Sequence, residues 1–218
     1  MDFFADLSEQ VHADFEGRNK ARDQALMQAR ALTRHAAQTI RAIHRDESEL
    51  AHEHLREAHV LVDALKKDLS AYPDLFYAGY TQDAIKEFAE ASLTVAAIEN
   101  VPLPKPEMLG IEYATYLNGL AEVTGELRRK TLDILRRGYS AEAERLLACM
   151  DEIYALLITV DYPDAITNGL RRQTDLVRGI IERTRADLTI SLREELLQQA
   201  LQTFAKRLPA DDAHDPRL

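Results

Sequence analysis

Apolar residues recur at intervals of three and four along almost the whole chain, and the breaks in that rhythm divide it into six long helical segments. The first covers 3–45, with no proline and a single glycine, Gly17. A second covers 47–70 and stops at Tyr72-Pro73-Asp74, where proline removes a backbone donor and blocks the next turn. After Gly79 a third covers 81–99. Segment 101–106, Val-Pro-Leu-Pro-Lys-Pro, is too rich in proline for a helix, so it forms a stiff extended crossover. Its length permits the helices on either side to be set against each other. A fourth helix covers 109–137 and ends at Gly138, a natural left-handed C-terminal cap. Ser140 caps a fifth, to about residue 160, and a sixth covers 168–208. Neither useful β-alternation nor a repeat of about 30–45 residues interrupts this pattern. The expected fold is all-α, a bundle of about six long antiparallel helices in one domain over 1–208, followed by a polar, disordered tail over 209–218.

Composition agrees with helix: Ala, Leu, Glu and Arg are abundant, and 218 residues can bury a core without staples. The single cysteine, Cys149, can form neither an internal disulfide nor a cysteine-based zinc site, and it is expected as a small buried residue between Leu147 and Met150. The start, Met1-Asp2-Phe3-Phe4-Ala5-Asp6, carries acids where a signal peptide needs basic residues, and no apolar run approaches the roughly 20 residues that span a bilayer. A soluble, cytoplasmic chain with no membrane partner is expected. The net charge of −10 argues against indiscriminate binding to a polyanion, although a local basic surface would override it.

The first helix carries such a surface. Leu26, Ala29, Thr33, Ala36, Ile40 and Ile43 fall within an arc of roughly 100°, which predicts a core-facing stripe. Arg30, Arg34, Arg41 and Arg45 fall within roughly 60° on another face, along about 22 Å of axis. A row of that kind suits phosphate tracking, although arginines on a solvated face often contact nothing specific.

Four glutamates carry the candidate chemistry. Glu87 and Glu90 lie in Ala84-Ile85-Lys86-Glu87-Phe88-Ala89-Glu90-Ala91, followed by an uncharged run over 91–98. Glu122 and Glu126 follow the uncharged run 113–121. Spacings of three and four put each pair on one face of its helix. Carboxylates that face a packed interior are costly unless neutralised, and a divalent cation is the simplest neutraliser. With no cysteine nearby, oxygen ligands favour Mg²⁺, with Mn²⁺ as a substitute. Such an ion acidifies water and contacts phosphate, the requirements for phosphodiester hydrolysis. The plain alternative is a set of surface glutamates in an acid-rich chain, and spacing alone does not show whether the two pairs converge.

A second metal chemistry is also written in the chain. Glu9-Gln10-Val11-His12 and Glu49-Leu50-Ala51-His52 are Glu-x-x-His motifs of the kind found in di-iron bundles, which Glu90 and Glu126 would complete. The polar surroundings of His52 and the terminal position of Glu9 and His12 speak against it. His35, His44 and His59 read as surface or core-edge residues. Neither a nucleophile–histidine signature nor a phosphate-binding glycine loop is present.

The fourth helix makes the pattern specific. Tyr116-Leu117-Asn118-Gly119-Leu120-Ala121-Glu122-Val123-Thr124-Gly125-Glu126-Leu127 resembles the Tyr-Leu-x-Gly-x-Ala-Asp-x-Thr-Gly-Glu-Leu motif of translin-associated factor X, the catalytic branch of the translin family. Glu87-Phe88-Ala89-Glu90 stands where that family has a Glu-x-x-Glu, and Arg30, Thr33, Ile40 and His44-Arg45 are similar on the first helix. The resemblance spans 1–208 and points to a prokaryotic member. It implies a Mg²⁺-dependent endoribonuclease that cleaves single-stranded RNA, with Glu87, Glu90, Glu122 and Glu126 as metal-binding and catalytic residues, inside a closed homo-octamer. DNA is a second candidate ligand. In such an assembly an acidic outside coexists with an inner surface lined by arginines. The chain departs from the pattern at Glu122, where factor X has Asp, which moves the ligand by about one methylene. Translin itself, the sister branch, has lost these acids and chiefly binds nucleic acid, so a non-catalytic binding assembly is the alternative.

Overall fold

The computed structural model describes residues 3–207, and those residues form helices joined by turns, with no β-strand among them. In chain order they are α1 (Phe3–His44), α2 (Ser48–Asp68), α3 (Pro73–Phe76), α4 (Gly79–Ile98), α5 (Pro106–Leu109), α6 (Tyr113–Leu135), α7 (Ala141–Leu157), α8 (Asp164–Thr167) and α9 (Leu170–Arg207). Six are long, and the other three are single turns inside the connections. The expected tail over 209–218 lies outside the described residues.

Local chemistry explains most boundaries. Prolines open α3 and α5 at the first helical turn, where the missing N–H has no partner to lose. Ser140 caps α7 as expected, its hydroxyl accepting from the Glu142 N–H at 3.1 Å. The helix expected from residue 109 begins instead at Tyr113, because Gly110 takes a left-handed conformation (φ 64°) that ends α5. At its other end α6 stops at Leu135, and Gly138 (φ 114°) turns the chain only three residues later.

α4 is the centre of the bundle. It packs on α1 and α2 to one side and on α6 to the other, and α6 packs in turn on α7 and α9. Every residue of α4 from Phe88 to Ala97 is buried, which is why its sequence carries no charge between Glu90 and Glu99. The C-terminal end of α4 is held by Arg145, whose Nη2 donates to the carbonyl of Ala97 at 3.0 Å. The extended crossover is pinned from α6 by the Tyr116 hydroxyl, which donates to the carbonyl of Pro104 at 3.0 Å. Asn118 donates to the Thr167 carbonyl at 2.8 Å and ties α6 to α8. Cys149 is half-buried against the core rather than inside it.

α1 corrects the expected stripe. Ala29, Ala36, Ile40 and Ile43 are buried, but Leu26 is half-buried and Thr33 is exposed, while Ala25, Gln28, Leu32, Thr39 and Ala42 are buried as well. The burial arc is rotated because α2 and α4 cover adjacent sides of α1 together.

The central helices α4 and α6 approach closely at Gly119. A Cβ there would lie 2.9 Å from the Ala89 Cβ, 3.0 Å from the Lys86 carbonyl oxygen and 3.1 Å from the Glu90 nitrogen. Only a residue without a side chain lets α6 lie this near the α4 backbone. Gly125, further along the same helix, has nothing within 4 Å of the point where a Cβ would stand, so packing gives no reason for it. Gly119→Ala is therefore expected to destabilise the protein by about 1–3 kcal/mol. Gly125→Ala should be neutral or stabilising by about 0.5–1 kcal/mol. Urea midpoints of the two variants check this pair, and equal midpoints would contradict the close-contact assignment.

Candidate functional site

The contact at Gly119 sets the site. It seats α6 against the turn of α4 between Lys86 and Glu90, so that Glu122, three residues on, projects beside Glu87 and Glu90. One carboxylate oxygen from each of these three glutamates can be chosen so that all lie within 4.8 Å of one another. Among the described residues this is the only group of three or more His, Cys, Asp or Glu side chains close enough to share an ion.

Burial separates the members. Glu90 is only 9 % exposed, whereas Glu87 and Glu122 keep roughly a quarter to a third of their side-chain surface, 34 % and 25 %. No hydrogen bond or ion pair is found for the Glu90 carboxyl among the described residues, and the nearby charge of Lys86 opposes its burial only in part. Desolvation first, and then the charges of Glu122, Glu87 and Glu126, push its pKa up to about 8. Glu122 and Glu87 share a cation instead: Lys86 Nζ donates to Glu122 Oε1 at 2.6 Å and lies 3.6 Å from Glu87 Oε1. Gln173 on α9 approaches the same Glu122 oxygen at 3.5 Å.

Glu126 stands one turn further along α6 and is engaged elsewhere. His44 Nε2 lies 2.6 Å from Glu126 Oε2, and Arg129 lies 3.5 Å from the same oxygen. The hydrogen bond from His44 holds the Glu126 pKa below its usual range despite partial burial. Its charge still reaches Glu90. Of the four glutamates, then, three gather and the fourth sits beside them on a histidine.

His44 is at the core edge, as its sequence context suggests, but its side chain turns inward: it is 3 % exposed and its Nδ1 is buried without a partner. Helical spacing carries no sign that the last turn of α1 meets α6. Lys86 and Gln173 are equally unmarked in the sequence, because a lysine beside a glutamate usually reads as a solvated pair.

The remaining candidates do not join the cluster. Glu9 and His12 lie on the exposed first half of α1. Glu49 is exposed, and His52 pairs with Glu99 at 3.0 Å. Arg30, Arg34, Arg41 and Arg45 are all exposed, and none has a side-chain hydrogen bond or ion pair among the described residues. Arg30 and Thr33 line a groove of about 350 Å³ whose far wall includes Tyr80, Asp83 and Glu87, so one arginine of the row and one glutamate of the cluster share a groove.

Hard oxygen donors, their spacing and an ammonium already drawn among them fit a divalent cation of the Mg²⁺ type. The buried carboxyl gives a prediction for the metal-free protein. Its pKa is raised on folding, so its contribution to stability is full below the unfolded value near 4.5 and is lost as pH rises through about 8. In chelator the wild type should lose on the order of a few kcal/mol across that window. Glu90→Gln should remove most of this slope and be the more stable form at alkaline pH. Denaturation midpoints measured at several pH values check this, and a wild-type midpoint independent of pH would contradict it.

Comparison with known proteins gives a consistent set of likenesses. No family model matches the chain. It is 32 % identical over 186 residues to the uncharacterized protein MJ0175 of Methanocaldococcus jannaschii, covering 84 % of this chain and 82 % of that protein. Among solved structures it is similar to AfC3PO in complex with duplex RNA, at 34 % identity and a TM-score of 0.79 over 86 % of this chain and 97 % of that one. AfC3PO alone gives 32 % identity and a TM-score of 0.80, covering 86 % of this chain and 98 % of that one. Apo-NeC3PO, at 19 % identity over 88 % of this chain and 98 % of that one, shares the fold with a TM-score of 0.77.

Proposed function

This chain belongs to the translin family, and from that premise we propose that it is a Mg²⁺-dependent endoribonuclease that cleaves single-stranded RNA at the cluster of Glu87, Glu90 and Glu122. The observation that carries this reading is the convergence of three carboxylates, one of them buried and unpaired, where two helices touch.

Mg²⁺, or Mn²⁺ in its place, would supply an acidified water and offset charge growing on the scissile phosphate. Glu87, Glu90 and Glu122 would hold the ion. Glu90, protonated below about pH 8 in the free protein, must release its proton to take part. Glu126, kept ionised by His44, would stand beside them as a fourth carboxylate, able to turn to the ion or to accept the proton of the attacking water. Arg30, Arg34, Arg41 and Arg45 would follow RNA phosphates, and the groove from Arg30 to Glu87 would bring a strand on α1 to the cluster. The local positive potential of that face would outweigh, for a strand lying on it, the overall net charge of −10.

The active form is proposed to be a homo-oligomer, an octamer by family resemblance. On α1 no residue before Ala25 is buried, and on α9 none after Leu188. Both arms display apolar side chains to solvent, among them Leu7, Val11 and Phe15 on α1 and Leu197, Leu201 and Phe204 on α9. A copy of the chain is the natural cover for surfaces of this extent.

The second reading is a nucleic-acid-binding assembly without catalysis, which the partner-free arginines support on their own. One assay separates the two: labelled single-stranded RNA, with duplex RNA and DNA alongside, incubated with Mg²⁺, Mn²⁺, Fe²⁺ or chelator. Cleavage is expected with Mg²⁺ and Mn²⁺ and absent in chelator. Glu122→Gln should lower cleavage by about 100-fold or more while RNA retention persists. Arg30→Ala should weaken retention, most clearly at low salt, and should make retention less steeply dependent on salt. Retention without cleavage by the wild-type protein in both metals would favour the binding assembly.

A further inference from the structure

Lys86 stands in an unusual place for a lysine. Its Nζ lies 2.6 Å from Glu122 and 3.6 Å from Glu87, two of the three acids that gather at the site, while its own helix supplies Glu87 and Glu90. The side chain is 21 % exposed, so the ammonium is drawn inward rather than left in water. Among the described residues no other lysine or arginine makes an ion pair with Glu87, Glu90 or Glu122. Arg129 touches only Glu126.

An ammonium and a small divalent ion make competing demands on such a cluster. Mg²⁺ needs carboxylate oxygens at about 2.1 Å. Two oxygens already holding one ammonium cannot both close on an ion until it leaves. A lysine can leave cheaply, since its charge sits at the end of a flexible four-carbon stem and its backbone need not move. When it is in place it relieves repulsion between Glu87 and Glu122, which would otherwise strain the α4–α6 contact in the absence of metal.

We propose that Lys86 is a tethered counter-ion that occupies the divalent-ion position in the metal-free protein and competes with the ion for Glu87 and Glu122, so that it sets the metal concentration the site requires. The proposal rests on the reading of this cluster as a metal site. It assigns Lys86 a positioning role, holding the carboxylates gathered until the ion replaces it.

The test is direct Mn²⁺ binding to RNA-free protein, by calorimetry or by loss of the free Mn²⁺ paramagnetic resonance signal. Lys86→Gln is expected to bind Mn²⁺ roughly tenfold more tightly than wild type, which corresponds to about 1.4 kcal/mol. Lys86→Arg should stay near wild type, and Glu122→Gln should abolish binding. In chelator Lys86→Gln should melt at lower temperature than wild type, and Mn²⁺ should raise its melting temperature by more. Lys86→Met, which keeps most of the apolar stem, repeats the measurement if the glutamine variant does not fold. Binding by Lys86→Gln that is weaker than wild type or within twofold of it overturns the proposal while leaving the metal site standing. Failure of both proteins to bind Mn²⁺ overturns the metal reading as well.

Discussion

Contact between the α6 backbone at Gly119 and the α4 turn from Lys86 to Glu90 governs both halves of this molecule. On the apolar side it lets two helices pack at a separation that only a missing Cβ allows, with Phe88, Leu93, Leu120, Val123 and Leu127 closing the core around them. On the polar side it projects Glu122 against Glu87 and Glu90. Three carboxylates are held together by a packing interaction that gains nothing from their meeting. Like charges gathered at a cost to stability are a common mark of function, because a purely structural contact would have no reason to retain them.

The metal-free chain meets that cost in three ways, each at a different residue. Glu90, without a partner and almost out of water, takes a proton. Glu87 and Glu122 share the ammonium of Lys86. Glu126 is stabilised as an anion by His44 from the far end of α1. A divalent ion would replace the proton and the ammonium together, coupling ion binding to proton release and to movement of one side chain. On that proposal the site would be a charge balance with two alternative occupants.

Charge is also distributed unevenly over the surface. The chain is strongly acidic as a whole, yet Arg30, Arg34, Arg41 and Arg45 stand unpaired on one face of α1, and a groove leads from that face to Glu87. The same helix extends beyond the bundle as an arm with apolar residues in solvent, as does α9. One long helix therefore contributes core and an exposed arginine face on different sides of its C-terminal half, and a projecting arm over its N-terminal half.

The six long helices, the proline crossover, the serine cap on α7, the two glutamate pairs and the arginine face were all legible in the sequence, because each depends on spacing or on the backbone preferences of single residues. Tertiary structure decided what spacing cannot carry. It rotated the buried arc of α1 away from Leu26 and Thr33, because two helices cover that face at once. It delayed α6 to Tyr113 through the left-handed turn at Gly110. Above all it chose partners: Glu122 joined Glu87 and Glu90, Glu126 went to His44, and Lys86 turned into the cluster. A sequence fixes which side chains share a helix face, but which faces meet is set by packing between elements distant in the chain, and here that choice turned on one glycine.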